Sequence, residues 1–120
     1  MKFAANAMTD LPDLQTLAML DEESFRDEFK GSPVKRIKRR RFLRNVLIAI
    51  GNSRNERFVP SVIRLLGDEE PLVRGAAVWA LARLDTEAFE DQKALRKEAE
   101  QDAEVLAEWS IALDDDHLLE

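Results

Sequence analysis

The chain has 120 residues, with 18 lysines and arginines against 24 aspartates and glutamates, and its formal net charge is -6 at pH 7. This length supports one domain with one hydrophobic core, or a piece of something larger. Because cysteine is absent, the chain alone cannot build disulfides, iron–sulfur clusters or thiolate zinc sites.

Two short helices are predicted in the lead-in segment. The first starts at Asp10, which can cap the free amides, and runs to about Met19. Asp21 caps the second helix, where Phe25 and Phe29 lie one turn apart as the buried stripe. A glycine at position 31 then ends this segment.

The strongest helix signals lie in the middle of the chain. A turn or short helix at Ser32 precedes a helix that begins near Arg40 and stops at residues 51–53, Gly-Asn-Ser. Its apolar residues cover more than one face, so we expect this helix to be central and packed on two sides. Asn55 caps the next helix, and Pro71 opens a further one after three acidic residues.

Two more helices are predicted after residue 84. The apolar residues of the first, which starts at Asp85, are Phe89, Ala94, Leu95 and Ala99. Those of the second, capped by Asp102, are Val105, Leu106, Trp109, Ile111 and Leu113.

An internal repeat suggests how these helices are organised. Residues 43–51 resemble residues 73–82, and their offset of about thirty residues is the size of one helix-turn-helix repeat. No stretch alternates as a strand would, so the predicted fold is all-α, an α-solenoid of about six or seven helices. The expected divisions are lead-in helices in 1–31, a repeat core in 32–84, a helical pair in 85–113 and an acidic tail in 114–120.

The basic charge is concentrated in one segment. Residues 35–64 hold ten lysines and arginines and one acidic residue, a net of +9, so the remaining residues carry -15. Such a local concentration attracts polyanions whatever the total charge. The candidate phosphate contacts are Lys35, Arg36, Lys38, Arg39, Arg40, Arg41, Arg44, Arg54 and Arg57, with Arg64 as an extension.

The basic residues have other possible roles besides phosphate binding. The basic run could be a solvated face or could pair with the acidic helices, and Phe42 and Phe58 within it are expected in the core. Without aromatic residues to stack bases, recognition of backbone and shape is favoured over base reading. Arg74, aligned with Arg44 by the repeat, is interpreted as a structural ion-pair residue opposite Asp68.

Several spaced motifs resemble the carboxy-terminal region of epoxyqueuosine reductase. They are Ser-Pro-x-Lys-Arg at residues 32–36, Leu-Arg-Asn leading to Ala-x-Gly-Asn at 43–52, and Pro-Leu-Val-Arg leading to Ala-x-Trp-Ala-Leu at 71–81. Residues 2–4 resemble the family's residues just after its last cluster cysteine. The resemblance extends to about residue 84 and is weak beyond residue 85.

The resemblance implies a HEAT-like domain that helps to hold tRNA in the cytoplasm. It also implies upstream modules absent from this chain, which would hold cobalamin and two [4Fe-4S] clusters, so the chain has no cofactor and is not an enzyme by itself. Met1 would then be an artificial or secondary start. Docking to these modules predicts an exposed apolar patch at Phe3 and residues 11–20.

Two alternatives remain. The chain could be a stand-alone helical-repeat module whose basic face binds an acidic protein, or a HEAT-like lyase subunit, although no catalytic group supports the second. His117 and the aspartates at 114–116 do not form a metal or catalytic site. No apolar run approaches the roughly 20 residues that a membrane span requires, and no secretory signal is visible, which favours the cytosol.

Overall fold

A computed structural model of the chain describes residues 11–114, except the side chains of residues 11–13, 35 and 36. Those residues form seven α-helices and no strand, which confirms the all-α prediction. The helices are α1 (Leu11–Ala18), α2 (Glu22–Glu28), α3 (Lys38–Ser53), α4 (Val59–Leu65), α5 (Pro71–Leu84), α6 (Thr86–Arg96) and α7 (Ala103–Ile111). Short 3₁₀ helices cover Pro33–Ile37, Glu56–Phe58 and Lys97–Ala99.

The predicted caps start the helices. The carboxylate of Asp21 accepts a hydrogen bond from the Ser24 amide at 2.8 Å, and Asp85 accepts one from the Ala88 amide at 3.1 Å. Asp102 accepts from two amides at the start of α7. These bonds satisfy donors that the first turn of a helix leaves free.

Gly51 lies inside α3, and the helix ends within the stop predicted at residues 51–53. The helix continues to Ser53, and Arg54 ends it in a left-handed conformation with φ 55°. A Cβ at position 51 would lie 2.5 Å from Cζ3 of Trp79 and 3.2 Å from Cα of Ala80. Gly51 is therefore required for the close approach of α3 to α5.

α5 is the central helix, and α3 is packed on two sides, as expected, between α1 and α5. α5 contacts α3, α4, α6 and α7, and every side chain from residue 76 to residue 82 is buried. Its alanines allow neighbouring backbones to approach closely. Helices α1, α3, α5 and α7 form a row in which each contacts the next.

The lead-in helices are packed against the core. Leu14 and Leu17 of α1 are buried, and α1 contacts α3 and α4. The rings of Phe25, Phe29 and Phe42 form a cluster with centroid distances of 5.0 to 5.3 Å. The predicted exposed apolar patch is thus wrong for these two leucines. Phe3 lies outside the described residues.

The last two helices bury fewer apolar residues than predicted. Phe89 and Trp109 are buried with ring centroids 5.3 Å apart. Ala94 and Ala99 are exposed, and Leu95 is 73% exposed. Ile111 and Leu113 are also exposed, whereas Ala112 is buried. Across the residues that the structure describes, no helix combines the length and apolar character needed to cross a bilayer.

Candidate nucleic-acid interface

Arg39 is held inside the protein by the α1–α2 turn and by the α4–α5 turn. Its Nε donates to the Leu20 carbonyl at 2.8 Å, and its Nη2 and Nη1 donate to the two carboxylate oxygens of Asp68 at 2.7 and 3.3 Å. The side chains of Arg39 and Asp68 are 13% and 11% exposed. Most of the hydrogen-bonding capacity of this guanidinium is thus used within the chain.

Asp68 remains ionised in this setting. Burial raises the pKa of its carboxyl, but hydrogen bonds from Arg39 and the Glu70 amide, together with nearby positive charge, leave that pKa below its usual value. The carboxylate therefore joins the start of α3 to the turn before α5.

Arg74 repeats this arrangement one layer further along the chain. Its Nε and Nη2 donate to the two carboxylate oxygens of Glu100 at 2.9 and 2.8 Å. Its Nη1 donates to the carbonyls of Asp68 and Glu69, both at 3.0 Å. The hydrogen bonds between Arg74 and Glu100 raise the pKa of Arg74 and lower that of Glu100.

These contacts confirm that Arg74 is a structural arginine between repeats. They differ from the prediction in the acidic residue that pairs with it and in the arginine that is equivalent to it in the other repeat. The carboxylate paired with Arg74 is Glu100, because Arg39 occupies the carboxylate of Asp68. Arg39 and Arg74 each bond to the preceding turn and to an acidic residue in the following turn. Arg39, rather than Arg44, is therefore the counterpart of Arg74 by contacts.

Four other cations cluster at the start of α3. Lys38, Arg40 and Arg41 are exposed, and Arg44 is half-buried. Arg40 lies 3.8 Å from a carboxylate oxygen of Glu70, a loose and exposed pair. We call Lys38, Arg40, Arg41 and Arg44 the α3 basic group. The side chains of residues 35 and 36, two of the predicted contacts, lie outside the described part of the chain.

The amino end of α3 suits an anion. Ile37 at the cap position supplies no side-chain hydrogen bond, and the first turn contains no acidic residue. Helix dipoles favour negative charge at this end, where the chain instead places four consecutive cations, from Lys38 to Arg41. A bound phosphate would reverse this unfavourable electrostatic arrangement.

Arg54 and Arg57 lie apart from the α3 basic group. Arg54 caps the carboxyl end of α3, and Arg57 lies in the following 3₁₀ helix, where its carbonyl accepts a hydrogen bond from Gln15 at 3.4 Å. Both arginine side chains are exposed. Arg54 follows Arg41 by thirteen positions, a distance of about 20 Å along the helix. The predicted site residues therefore form two cationic groups and not one patch.

A cleft beside the α3 basic group was not anticipated from the sequence. Its volume is about 170 Å³, and its lining includes Arg44 from α3, Leu72 and Gly75 from α5, and Glu104 and Glu108 from α7. Only the packing of α3, α5 and α7 brings these residues together, so no local sequence signal could have identified the cleft.

The described residues offer no metal centre. Among residues 11–114, no group of three or more histidines, cysteines or carboxylates could hold a metal ion. The full sequence also contains no cysteine. The [4Fe-4S] clusters that the resemblance implies were expected in upstream modules and not in this chain, which has no cysteine to hold them. His117 and the aspartates at 115 and 116 lie outside the described residues.

Comparison with known proteins identifies the repeat type. A family model described as HEAT repeats matches residues 39–114. No solved structure gives a significant match.

Relatives include an uncharacterized protein and several reductases. The chain is 32% identical over 97 residues to an "uncharacterized protein in gldA 3'region" of Geobacillus stearothermophilus, covering 78% of this chain and 44% of that protein. It is 26% identical over 105 residues to the epoxyqueuosine reductase of Bacillus subtilis, covering 85% and 27% respectively. It is 33% identical over 82 residues to that of Xanthomonas campestris, covering 68% and 23%. The chain thus spans less than half the length of each relative.

Proposed function

Because the chain belongs to the HEAT-repeat family, we propose that it is the tRNA-binding helical domain of an epoxyqueuosine reductase. The observation that carries this proposal is the α3 basic group at the amino end of a helix without a side-chain cap or an acidic first turn. Its reductase relatives align with a quarter or so of their length, as one domain of a longer enzyme would.

Arginine is well suited to this role. Three of the four members of the α3 basic group are arginines, whose planar forks donate two hydrogen bonds to one phosphate. Arg40 and Arg44 lie one helical turn apart, so they can contact neighbouring phosphates. Arg39 is excluded from this role because Leu20 and Asp68 hold its guanidinium.

The separation of the two cationic groups favours a folded RNA. About 20 Å of helix lies between Arg41 and Arg54, several times the spacing of charges along one strand. All aromatic side chains in the described residues are buried, so none can stack on an unpaired base from the surface. Both observations support recognition of backbone and shape, as in a structured tRNA.

Catalysis would reside elsewhere in the longer enzyme. We propose that this chain does not catalyse a reaction itself, and that cobalamin and the two [4Fe-4S] clusters belong to catalytic and ferredoxin-like modules that it would contact. A cytosolic location, where tRNA is available, is part of the same proposal.

A salt series of RNA binding tests the proposal. The RNAs are a tRNA that normally carries queuosine and a length-matched single strand, and the variant is Arg40→Ala/Arg41→Ala. We expect preference for the tRNA and, for the variant, a salt slope reduced by about two, since each neutralised phosphate adds about one. Lys93→Ala/Lys97→Ala on and just after α6 removes the same charge and serves as the control.

Two results would reject an RNA interface at α3. One is the absence of binding to either RNA near physiological salt. The other is an equal salt slope for the wild type, the α3 variant and the α6 control, because a general charge effect would then explain any binding.

The second candidate function is a protein-interaction module. A groove of about 590 Å³, with Leu66, Leu95 and Ala99 in its lining, contains the 73% exposed side chain of Leu95. Charged residues, among them Arg74, Arg96 and Glu100, also line this groove, and a groove that mixes exposed apolar and charged side chains suits a protein partner. If a generic polyanion of equal charge competes as well as tRNA, this second function is favoured.

A further inference from the structure

The cleft between α3, α5 and α7 has an apolar floor that is open because Gly75 has no side chain. A Cβ placed on Gly75 would meet Glu108 Cγ at 3.8 Å and Val105 Cγ2 at 3.9 Å, so nothing else crowds this position. Leu72 and Ala76 continue the floor. The volume of about 170 Å³ equals that of five or six water molecules, which is room for one planar ring system.

The walls of the cleft carry opposite charges. Arg44 is half-buried, and within the described residues its guanidinium makes no hydrogen bond or ion pair. Glu104 and Glu108 of α7 line the other side, together with Asp102, whose carboxylate caps that helix. Glu104 is exposed at the start of that helix. A ligand for this cleft would combine an anionic group, a flat middle and hydrogen-bond donors.

A nucleotide has these three parts in this order. We propose that the cleft receives one unpaired base of the bound RNA, with its phosphate on Arg44 and its donor edge on Glu104. The inference rests on the proposed RNA-binding function, because Arg44 belongs to both the cleft and the α3 basic group. It adds a base-reading contact to an interface otherwise built on backbone contacts.

The chemistry of the acidic wall selects among the bases. A carboxylate only accepts hydrogen bonds, and it has two oxygens. The Watson–Crick edge of guanine presents two adjacent N–H donors, which match those oxygens. Uracil presents one N–H between two carbonyl oxygens, which a carboxylate repels. The cleft therefore favours guanine and disfavours uracil.

The test compares RNA hairpins with identical stems. One loop contains only uridines, and the others carry a single guanosine at successive loop positions. At one position we expect roughly tenfold tighter binding, the range of one good two-donor contact. Glu104→Gln should abolish this preference, because its amide replaces an acceptor with a donor. Glu87 is an exposed first-turn glutamate of α6, and Glu87→Gln loses the same charge. This control variant should retain the preference for the guanosine loop.

A nucleotide titration examines the cleft without RNA. We expect GMP to shift the amide resonance of Gly75 in the wild type much more than UMP does, and the GMP shift to shrink in Glu104→Gln. Equal shifts with GMP and UMP would mean that only phosphate is bound, which would overturn base reading. No shift with either nucleotide would overturn the cleft as a binding site.

The two proposals fail in different ways. If RNA binds without base preference and Glu104→Gln behaves as the wild type, the cleft proposal is wrong while the RNA interface stands. If no RNA binds but GMP shifts Gly75 selectively, the cleft binds guanine nucleotides and the proposed RNA interface is wrong.

Discussion

Gly51 and Gly75 both lie inside helices, but their neighbours give them different roles. A Cβ on Gly51 would overlap the buried ring of Trp79 and would also lie 3.2 Å from the backbone of Ala80. A Cβ on Gly75 would make only ordinary contacts. The first glycine sets the distance between α3 and α5, whereas the second leaves a surface cleft open.

Gly51→Ala should therefore lower the free energy of unfolding by about 1–3 kcal/mol, the typical cost of overpacking a core. Urea denaturation followed by circular dichroism measures this change. Gly75→Ala is the matched control, and it should raise the free energy of unfolding by up to about 1 kcal/mol, because alanine is the better helix former. Stabilisation by both substitutions would contradict the close approach at Gly51.

At the scale of elements, two arginines connect the turns of successive repeats. Arg39 joins the α1–α2 turn to the α4–α5 turn, and Arg74 joins the α4–α5 turn to the segment before α7. Both side chains are mostly shielded from water, and charged hydrogen bonds are stronger in such surroundings than in water. They hold the register of the helix row, which apolar contacts alone specify less precisely.

Comparing Arg39→Ala with Arg41→Ala should distinguish an arginine that stabilises the fold from one that binds RNA. We expect Arg39→Ala to lower the free energy of unfolding by about 2–4 kcal/mol, because Asp68 is left without its partner. The exposed Arg41→Ala should change it by less than about 0.5 kcal/mol. RNA affinity should respond in the opposite order, being weakened by Arg41→Ala and retained by folded Arg39→Ala. Equal stability of the two variants in urea would show that the Asp68 pair contributes little.

For the whole molecule, the same ion pairs make stability depend on pH. Hydrogen bonds from Arg74 hold the pKa of Glu100 below its usual value. At Asp68 burial raises the pKa, but the contacts with Arg39, the Glu70 amide and the charge of Arg74 together leave it lowered. Because the folded pKa is lower than the unfolded one, each carboxylate contributes stability above its unfolded value. That contribution disappears as the pH falls through the lowered folded value.

Urea midpoints should accordingly be nearly constant from pH 7 to about 5 and fall below about pH 4, where unfolded carboxyl groups take up protons. Glu100→Gln should flatten part of this fall, since its side chain cannot titrate. The exposed neighbour Glu98→Gln is the control and should leave the profile as in the wild type. A profile of Glu100→Gln identical to that of the wild type would contradict the contribution of the Arg74 pair.

Much of the helical architecture could be predicted because its signals are local. Asp21, Asp85 and Asp102 cap the helices that they were expected to cap, since a cap acts on amides two or three residues away. The spacing of Phe25 and Phe29 likewise indicated a buried face. The basic side chains of the candidate interface were also visible in the sequence, and their binding of RNA stays a prediction.

The sequence by itself thus determined the helices, their starts and the concentration of cations before and within α3. Only the tertiary structure decided that α5 is central, that Gly51 is a contact residue, and that Arg39 is held internally. Arg39 bonds across 29 residues and Arg74 across 26, and the cleft needs three separate helices. Such contacts depend on how helices pack against each other, which local periodicity does not encode.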